Sequence, residues 1–364
     1  MSVTQIPLPF LYTVNHLGPD YLRRALAGDV RTGLTSTPKW LPPKWFYDAA
    51  GSELFTEITR LPEYYPTRRE LAILREHAAE IAELSGSETL VELGSGTSEK
   101  TVLLLDALAA AGTLKTYSPV DVDATTLDAA AHRIALAYPG LAIWAVCADF
   151  ERHLSRLPRV GKRLVAFLGG TVGNLDHDAR ASFLEELRAT LSPGDGLLLG
   201  ADLVKDTGRL VAAYDDSAGV TAAFNRNVLN VMNRELGADF TPQAFDHVAL
   251  YDGKLHRIEM RLRASRPMRV HFRELGMAVS FKAGEEMRTE ISTKFYRYRL
   301  EGELIRTGFA LSRWYTDPAQ DFALVLAFVP EKRRHDGGQA GEPRRPRRGG
   351  RGKASGPAAP PEAV

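Results

Sequence analysis

The sequence has little of what would make a chemistry easy to name. It holds one cysteine, Cys147, in 364 residues, which excludes an internal disulfide and fits a reducing compartment. That thiol lies in the apolar run "LAIWAVCADF" with no base beside it, so it reads as core filler rather than as a nucleophile. No run approaches the roughly 18 apolar residues of a membrane helix. The opening "MSVTQIPLPFLYTV" lacks the basic region and long apolar stretch of a secretory leader. The expectation is a cytoplasmic protein with no membrane partner. Its nine histidines show neither HExxH nor paired-His spacing, so no metal is expected. Net charge is nearly absent at +1, but it is unevenly spread. From Glu331 onward nine Lys/Arg face four Asp/Glu, so the tail carries +5 and the body −4. A mildly acidic body is a poor partner for nucleic acid, and none is expected for it.

What is present is a soluble globular composition, 44% hydrophobic and 25% charged. Residues 16–85 read as mostly helical, with "TRRELAILREHAAEIAEL" (67–84) placing Leu71, Leu74, Ala78, Ile81 and Leu84 at helical spacing. Short apolar runs then alternate with helical patterns: "TLVELG" (89–94), "TYSPVDV" (116–122), "LAIWAVCAD" (141–149), "RLVAFLG" (163–169) and "GLLLGADL" (196–203). Strands alternating with helices of this length predict βαβ units and a parallel sheet. Two late runs, "TGFALSRWYT" (307–316) and "DFALVLAFV" (321–329), are joined by the turn "DPAQ" and predict a hairpin. Five parallel strands closed by an antiparallel hairpin resemble the α/β, Rossmann-like layout of class I S-adenosylmethionine-dependent methyltransferases. The expected organisation is a methyltransferase domain over 1–204 with an N-terminal helical segment, completed by 294–330. An inserted α+β substrate-binding subdomain is expected over 205–293. The Gly/Pro/Arg-rich stretch 331–364 has no apolar periodicity and is expected to be disordered.

The loop "VELGSGTSEK" (91–100) sets Gly94 and Gly96 between a strand and a helix, where the backbone can approach a ligand closely. The third glycine of a dinucleotide fingerprint is replaced by Glu99, which weakens a pyrophosphate reading. Glu92, just ahead of the loop, suits a cationic sulfonium better than a phosphate. Asp121, at the end of the second strand, is a candidate for ribose hydroxyls. In "ADF", Asp149 could take an adenine amino group and Phe150 could stack on the ring. The bland reading makes both aspartates strand-end turn formers.

Five blocks carry a closer resemblance: "PPKWFYDAAGSELFTEITRLPEYYPTRRE" (42–70), "VELGSGTSEK", "FLGGTVGNL" (167–175), "AAYDDSAGVTAAFNRNVLNVMNRELGADF" (212–240) and "MRTEISTKF" (287–295). In order, they resemble the histidine-specific Nα-methyltransferases of ergothioneine biosynthesis over about residues 10–330. The resemblance implies trimethylation of the α-amine of L-histidine to hercynine, with S-adenosyl-L-methionine as cofactor. It implies cofactor contacts from Gly94, Lys100, Asp121, Asp149 and Phe150. For the substrate it implies Asn174 at the amine and carboxylate end and Gly169 close by. It adds Tyr214 at the carboxylate, Tyr64 near the amine, and Tyr47 lining the same pocket. A family member acting on another amino acid remains open, as does an RNA or protein methyltransferase using the basic tail.

"MRTEISTKF" itself, read as a strand, puts Arg288, Glu290, Ser292 and Lys294 on one face. A carboxylate and a hydroxyl about 6–7 Å apart along a strand could bracket an imidazole, one accepting its N–H and the other donating to its second nitrogen. The competing reading is a solvated face.

Overall fold

Central strands of a parallel sheet are buried on both faces and need near-continuous apolar runs, and the runs after residue 88 supply them. The computed structural model describes residues 10–331. The tail beyond Glu331, expected to be disordered, lies outside the described residues. The chain starts with β1 (Leu11–Asn15), α1 (Tyr21–Thr35), β2 (Lys39–Trp40), α2 (Ala49–Ile58) and α3 (Pro66–Ser85). Helix α3 begins at Pro66, where a missing N–H costs nothing, and stops at Gly86, left-handed with φ 50°.

Then the alternation sets in: β3 (Thr89–Leu93), α4 (Val102–Ala110), β4 (Thr116–Asp121), α5 (Ala124–Ala137), β5 (Ala142–Cys147), β6 (Arg163–Phe167), α6 (His177–Thr190) and β7 (Gly196–Asp202). Next come α7 (Thr207–Ala212), α8 (Val220–Leu236), β8 (Phe245–Asp252), β9 (Arg257–Ala264), β10 (Met268–Phe272), β11 (Met277–Phe281) and β12 (Glu286–Thr293). Helix α9 (Arg297–Arg306) leads into the hairpin β13 (Ala310–Thr316) and β14 (Phe322–Phe328).

The main sheet runs β1-β5-β4-β3-β6-β7-β14-β13, parallel as far as β7 and antiparallel from there. Side-chain alternation divides its strands between two cores. Leu90, Leu164 and Leu198 pack with α3, α4 and α5, whereas Val91, Val165, Leu197 and Leu199 pack with α6 and α9. The order reverses between β3 and β6, so the crevice at their carboxyl ends is where an open α/β sheet binds ligands.

Two features depart from the expected layout. The sheet has a sixth parallel strand: β1 pairs with β5 from Leu11↔Ile143 to Asn15↔Cys147. Its mostly exposed sequence carries no alternation, and the free edge of β5 supplies the pairing. The segment before α3 also shares a core with the residues of the expected insertion. Leu26, Val30, Trp45 and Phe46 pack with Phe224, Val228, Met260 and Met287. In the second sheet, β2-β12-β9-β8, strand β2 pairs in parallel with β12. This second core is thus built from segments far apart in the sequence.

Candidate active site

The crevice at the end of β3 is floored by the glycine turn. Gly94 and Gly96 are left-handed, with φ 66° and 48°. A Cβ on Gly96 would meet nothing within 4 Å, and one on Gly94 would lie 3.7 Å from the Phe150 ring. The Gly96 N–H donates to Asp121 at 2.9 Å, and the N–H of Asp123 donates to the other Asp121 oxygen at 3.1 Å. Asp121 is thereby fixed against the loop with acceptor capacity left over, and burial raises its pKa. Asp149 accepts from the Tyr21 hydroxyl at 3.0 Å and from the Glu151 N–H at 2.9 Å. Half-buried Phe150 sits edge-on to Phe167 at 5.2 Å. Gly94, Asp121 and Phe150 are therefore brought to one place, with Asp149 next to them. Open space over Gly96, an aromatic face and a carboxylate with spare lone pairs fit an adenosyl group.

Glu92 corrects the reading of the loop. It shares the face of Leu90 and turns into the core, where it accepts from the Tyr117 hydroxyl at 2.5 Å and from Thr101. Burial pushes it up to about 7. It ties β3 to β4 and to the start of α4, and does not face a sulfonium.

Lys100 pairs with Glu70, a fully buried carboxylate whose other oxygen accepts the Gly169 N–H at 2.7 Å. A Cβ on Gly169 would lie 3.5 Å from the Lys100 ammonium. Glu70 thus joins the cofactor loop to the end of β6. After Gly170, the turn Thr171–Asn174 presents half-buried Asn174. Gly173 packs on the end of β12 so closely that a Cβ would meet the Thr293 carbonyl oxygen at 2.8 Å.

Strand β12 does not alternate throughout. A bulge at Thr289 shifts its register on β9: Arg288 opposes Arg261, but Glu290 opposes Met260 and Ser292 opposes Ile258. Arg288 therefore stands on the opposite face from Glu290 and Ser292, 3.9 Å from Glu259, which corrects the expected shared face. Thr289 caps the bulge through bonds to Asn225 at 2.6 Å and the Met260 carbonyl at 3.1 Å. Glu290 and Ser292 do point the same way. The Glu290 carboxylate has no hydrogen-bond or ion-pair partner among the described residues, and burial lifts it to about 7 against the pull of Lys294.

The aromatic side chains close the hollow. Tyr64 lies 6.3 Å from Tyr214 and 6.0 Å from Phe55, ring to ring. Tyr47 stands edge-on to Phe55 and Phe224 at 5.5 Å each. Tyr47 is 39% exposed, yet burial and the charges of Glu290 and Asp121 raise its pKa. Its hydroxyl therefore feels both Glu290 and Asp121. Burial, together with the Glu290 charge, also raises the hydroxyls of Tyr64 and Tyr214, so all three tyrosines stay neutral.

Beneath this hollow runs a buried network that sequence reasoning missed. The Lys294 ammonium donates to Asp202 and Ser292 at 2.8 Å and to the Tyr214 hydroxyl at 2.9 Å. Tyr214 and Ser292 are themselves 2.8 Å apart. Asp202 also accepts from Tyr65 at 2.8 Å and Lys205 at 2.5 Å. Asp202 could have been found, since it ends β7 at the ligand side of the sheet. Lys294 had only its spacing from Ser292, and Glu70 had no signal beyond a helical position.

The fold and this site define a class I S-adenosylmethionine-dependent methyltransferase. The family model described as "Histidine-specific methyltransferase, SAM-dependent" matches residues 26–329, and the chain belongs to that family. It is 58% identical over 317 residues to the histidine N-alpha-methyltransferase of Mycolicibacterium smegmatis, covering 87% of this chain and 99% of that one. It is 57% identical over 313 residues to the enzyme of the same name from Mycobacterium tuberculosis, covering 86% and 98%. The ergothioneine biosynthesis protein 1 of Neurospora crassa is 31% identical over 229 residues, 60% of this chain but 26% of that longer protein.

Proposed function

We propose that this protein transfers three methyl groups in succession from S-adenosyl-L-methionine to the α-amine of L-histidine, giving hercynine in the first step of ergothioneine biosynthesis. The observation that carries the substrate is Glu290: a mostly enclosed carboxylate without a partner among the described residues, on the same face as Ser292. Such an acceptor invites a ligand N–H, and the hydroxyl beside it offers a donor to a second ring nitrogen. Asn174 and Tyr214 take the carboxylate end, Tyr64 stands near the amine with Gly169 close by, and Tyr47 lines the pocket. Gly94, Lys100, Asp121, Asp149 and Phe150 hold the cofactor.

When bound, S-adenosylmethionine supplies a methyl group on a sulfonium whose thioether leaves readily. The chain mainly aligns the reactants. The α-amine of a free amino acid, beside its own carboxylate, titrates above the roughly pH 8 of a peptide terminus, so only a minor neutral fraction exists near neutrality and the reaction draws on it. Tyr64 and Asn174 are uncharged and form no ionic clamp, which suits a nitrogen that grows by a methyl group at each turnover. The reading extends to a monomer acting in the cytoplasm on a small molecule, and a dimer in sedimentation velocity would correct it.

The test is a methylation assay on single amino acids with mass detection. Histidine should gain three methyl groups and phenylalanine none. Equal turnover of phenylalanine would overturn the substrate assignment.

A further inference from the structure

A backbone carbonyl only accepts hydrogen bonds, so wherever a side chain meets one the direction of the bond is fixed. The imidazole of His247, on β8, is fixed in this way. It is 3% exposed, and its Nε2 lies 2.8 Å from the Tyr214 carbonyl, so Nε2 carries a proton and donates it. Its Nδ1 lies 2.8 Å from the side-chain nitrogen of Asn225, a fully buried residue of α8. That same nitrogen is 3.1 Å from the Arg261 carbonyl, to which it can only donate. Turning the amide round would set oxygen against oxygen, so its second hydrogen faces Nδ1, which must be bare. His247 is therefore a neutral ring. Burial and the charge of Arg226 lower its pKa, against the pull of Asp215 at 3.8 Å and of Asp216, and agree with that state.

The oxygen of the same amide faces Thr289. Of the two acceptors that the Thr289 hydroxyl meets, the Asn225 oxygen at 2.6 Å is nearer than the Met260 carbonyl at 3.1 Å. Thr289 is the bulge residue, and the next residue is Glu290. A line of hydrogen bonds thus runs Tyr214, His247, Asn225, Thr289. It starts at the backbone that carries one group of the pocket and ends at the bulge that aims another. Lys294 holds the hydroxyl of Tyr214 at the far end of its ring, and His247 holds its root. A buried polar chain whose members are all paired is stiff.

From this arrangement we propose that His247 is a positioning residue, a neutral strut that holds Tyr214 and Glu290 at the separation a bound histidine spans. This rests on the histidine reading above, with Tyr214 at the carboxylate and Glu290 at the ring. His247 touches neither substrate nor cofactor. It acts through the backbone of Tyr214 on one side and through Asn225 and Thr289 on the other.

The experiment measures initial rates on the full chain with each substrate varied in turn. His247→Phe keeps a flat ring of similar size and removes both bonds. It should raise KM for histidine about tenfold and leave KM for S-adenosylmethionine within about twofold. His247→Gln offers one donor and one acceptor at about the separation of the ring nitrogens, and should bring KM for histidine back to within about threefold of the unaltered value. Thr289→Val cuts the other end of the line and should raise KM for histidine about fivefold by itself. Members of one network do not act additively, whereas independent sites do. The double variant His247→Phe/Thr289→Val should therefore be little worse than His247→Phe alone.

An unmoved KM for histidine in His247→Phe, equal rises in both KM values, or single effects that multiply in the double variant would each overturn the proposal. If His247→Phe does not fold, Thr289→Val decides by the same split between the two KM values. Normal turnover of histidine without that split defeats this inference alone. Failure of the unaltered protein to methylate histidine defeats the substrate reading and this inference with it.

Discussion

The carboxylate of Glu70 accepts the backbone N–H of Gly169 at 2.7 Å. Its other oxygen holds Lys100, so one buried acid positions both sides of the crevice. Glu70→Ala would leave a buried N–H unsatisfied and an ammonium unpaired. The expected loss is about 2–4 kcal/mol in denaturant unfolding. KM for S-adenosylmethionine should rise as well. An unfolding midpoint equal to that of the unaltered protein would show that water replaces Glu70 freely.

Removing either pole of the proposed ring contact should separate the two substrates. Glu290→Ala and Ser292→Ala should each raise KM for histidine about tenfold or more, as loss of a hydrogen bond worth roughly 1.5–3 kcal/mol implies. KM for S-adenosylmethionine should stay within about twofold, since neither residue is placed near the glycine turn. Initial-rate measurements with each substrate varied in turn decide this. Parallel rises in both constants would mean a collapsed pocket, not a lost contact.

Glu290 also fixes the sign of a pH effect on stability. Its folded pKa lies near 7 against a usual 4.5, so the ligand-free folded protein holds more protons than the unfolded chain between those values. Its contribution is full below about pH 4.5 and is lost as pH rises through about 7. Buried Glu92, raised likewise to about 7, adds to the same trend. Glu290→Gln should flatten the fall and stabilise the ligand-free protein at pH 8 by on the order of 1–3 kcal/mol. Melting curves at pH 5.5 and pH 8 for both proteins measure it, and equal slopes would refute it.

Gly173 meets the end of β12 with no room for a Cβ, 2.8 Å from the Thr293 carbonyl oxygen in the ideal position. Gly173→Ala should push the Asn174 turn away from Glu290 and Ser292. Misplacement by about 1 Å can cost up to 100-fold, so kcat/KM for histidine should drop at least tenfold. Binding of S-adenosylhomocysteine, followed by calorimetry, should change little.

The sheet was legible because buried parallel strands must be apolar throughout, and "RLVAF" and "GLLLG" can hardly be anything else. The glycine turn, Asp121 and the Glu290–Ser292 pair were legible because each depends on local spacing. Glu92 was misread because sequence places an acid before the loop but does not say which core its strand face joins. The bulge at Thr289 was hidden too, since it is held by Asn225, far away in the chain. Lys294 shows the same limit: its three acceptors come from β7, from the segment after α7 and from β12, and only the fold brings them together.

The pairing of β2 with β12 has a consequence for how the protein is made. The Leu41 N–H bonds the Arg288 carbonyl at 2.8 Å, across about 250 residues of chain. At about 5–20 residues per second, roughly 12–50 s of synthesis separates the two halves of that bond. Strands β3 to β7 can meet during this interval, while α1, β2 and the segment carrying Tyr47 wait for their partners. The core that α1 and β2 share with α8, β9 and β12 is completed only once β12 has been made, and until α8 appears the apolar side chains of its first half lack the partners that bury them.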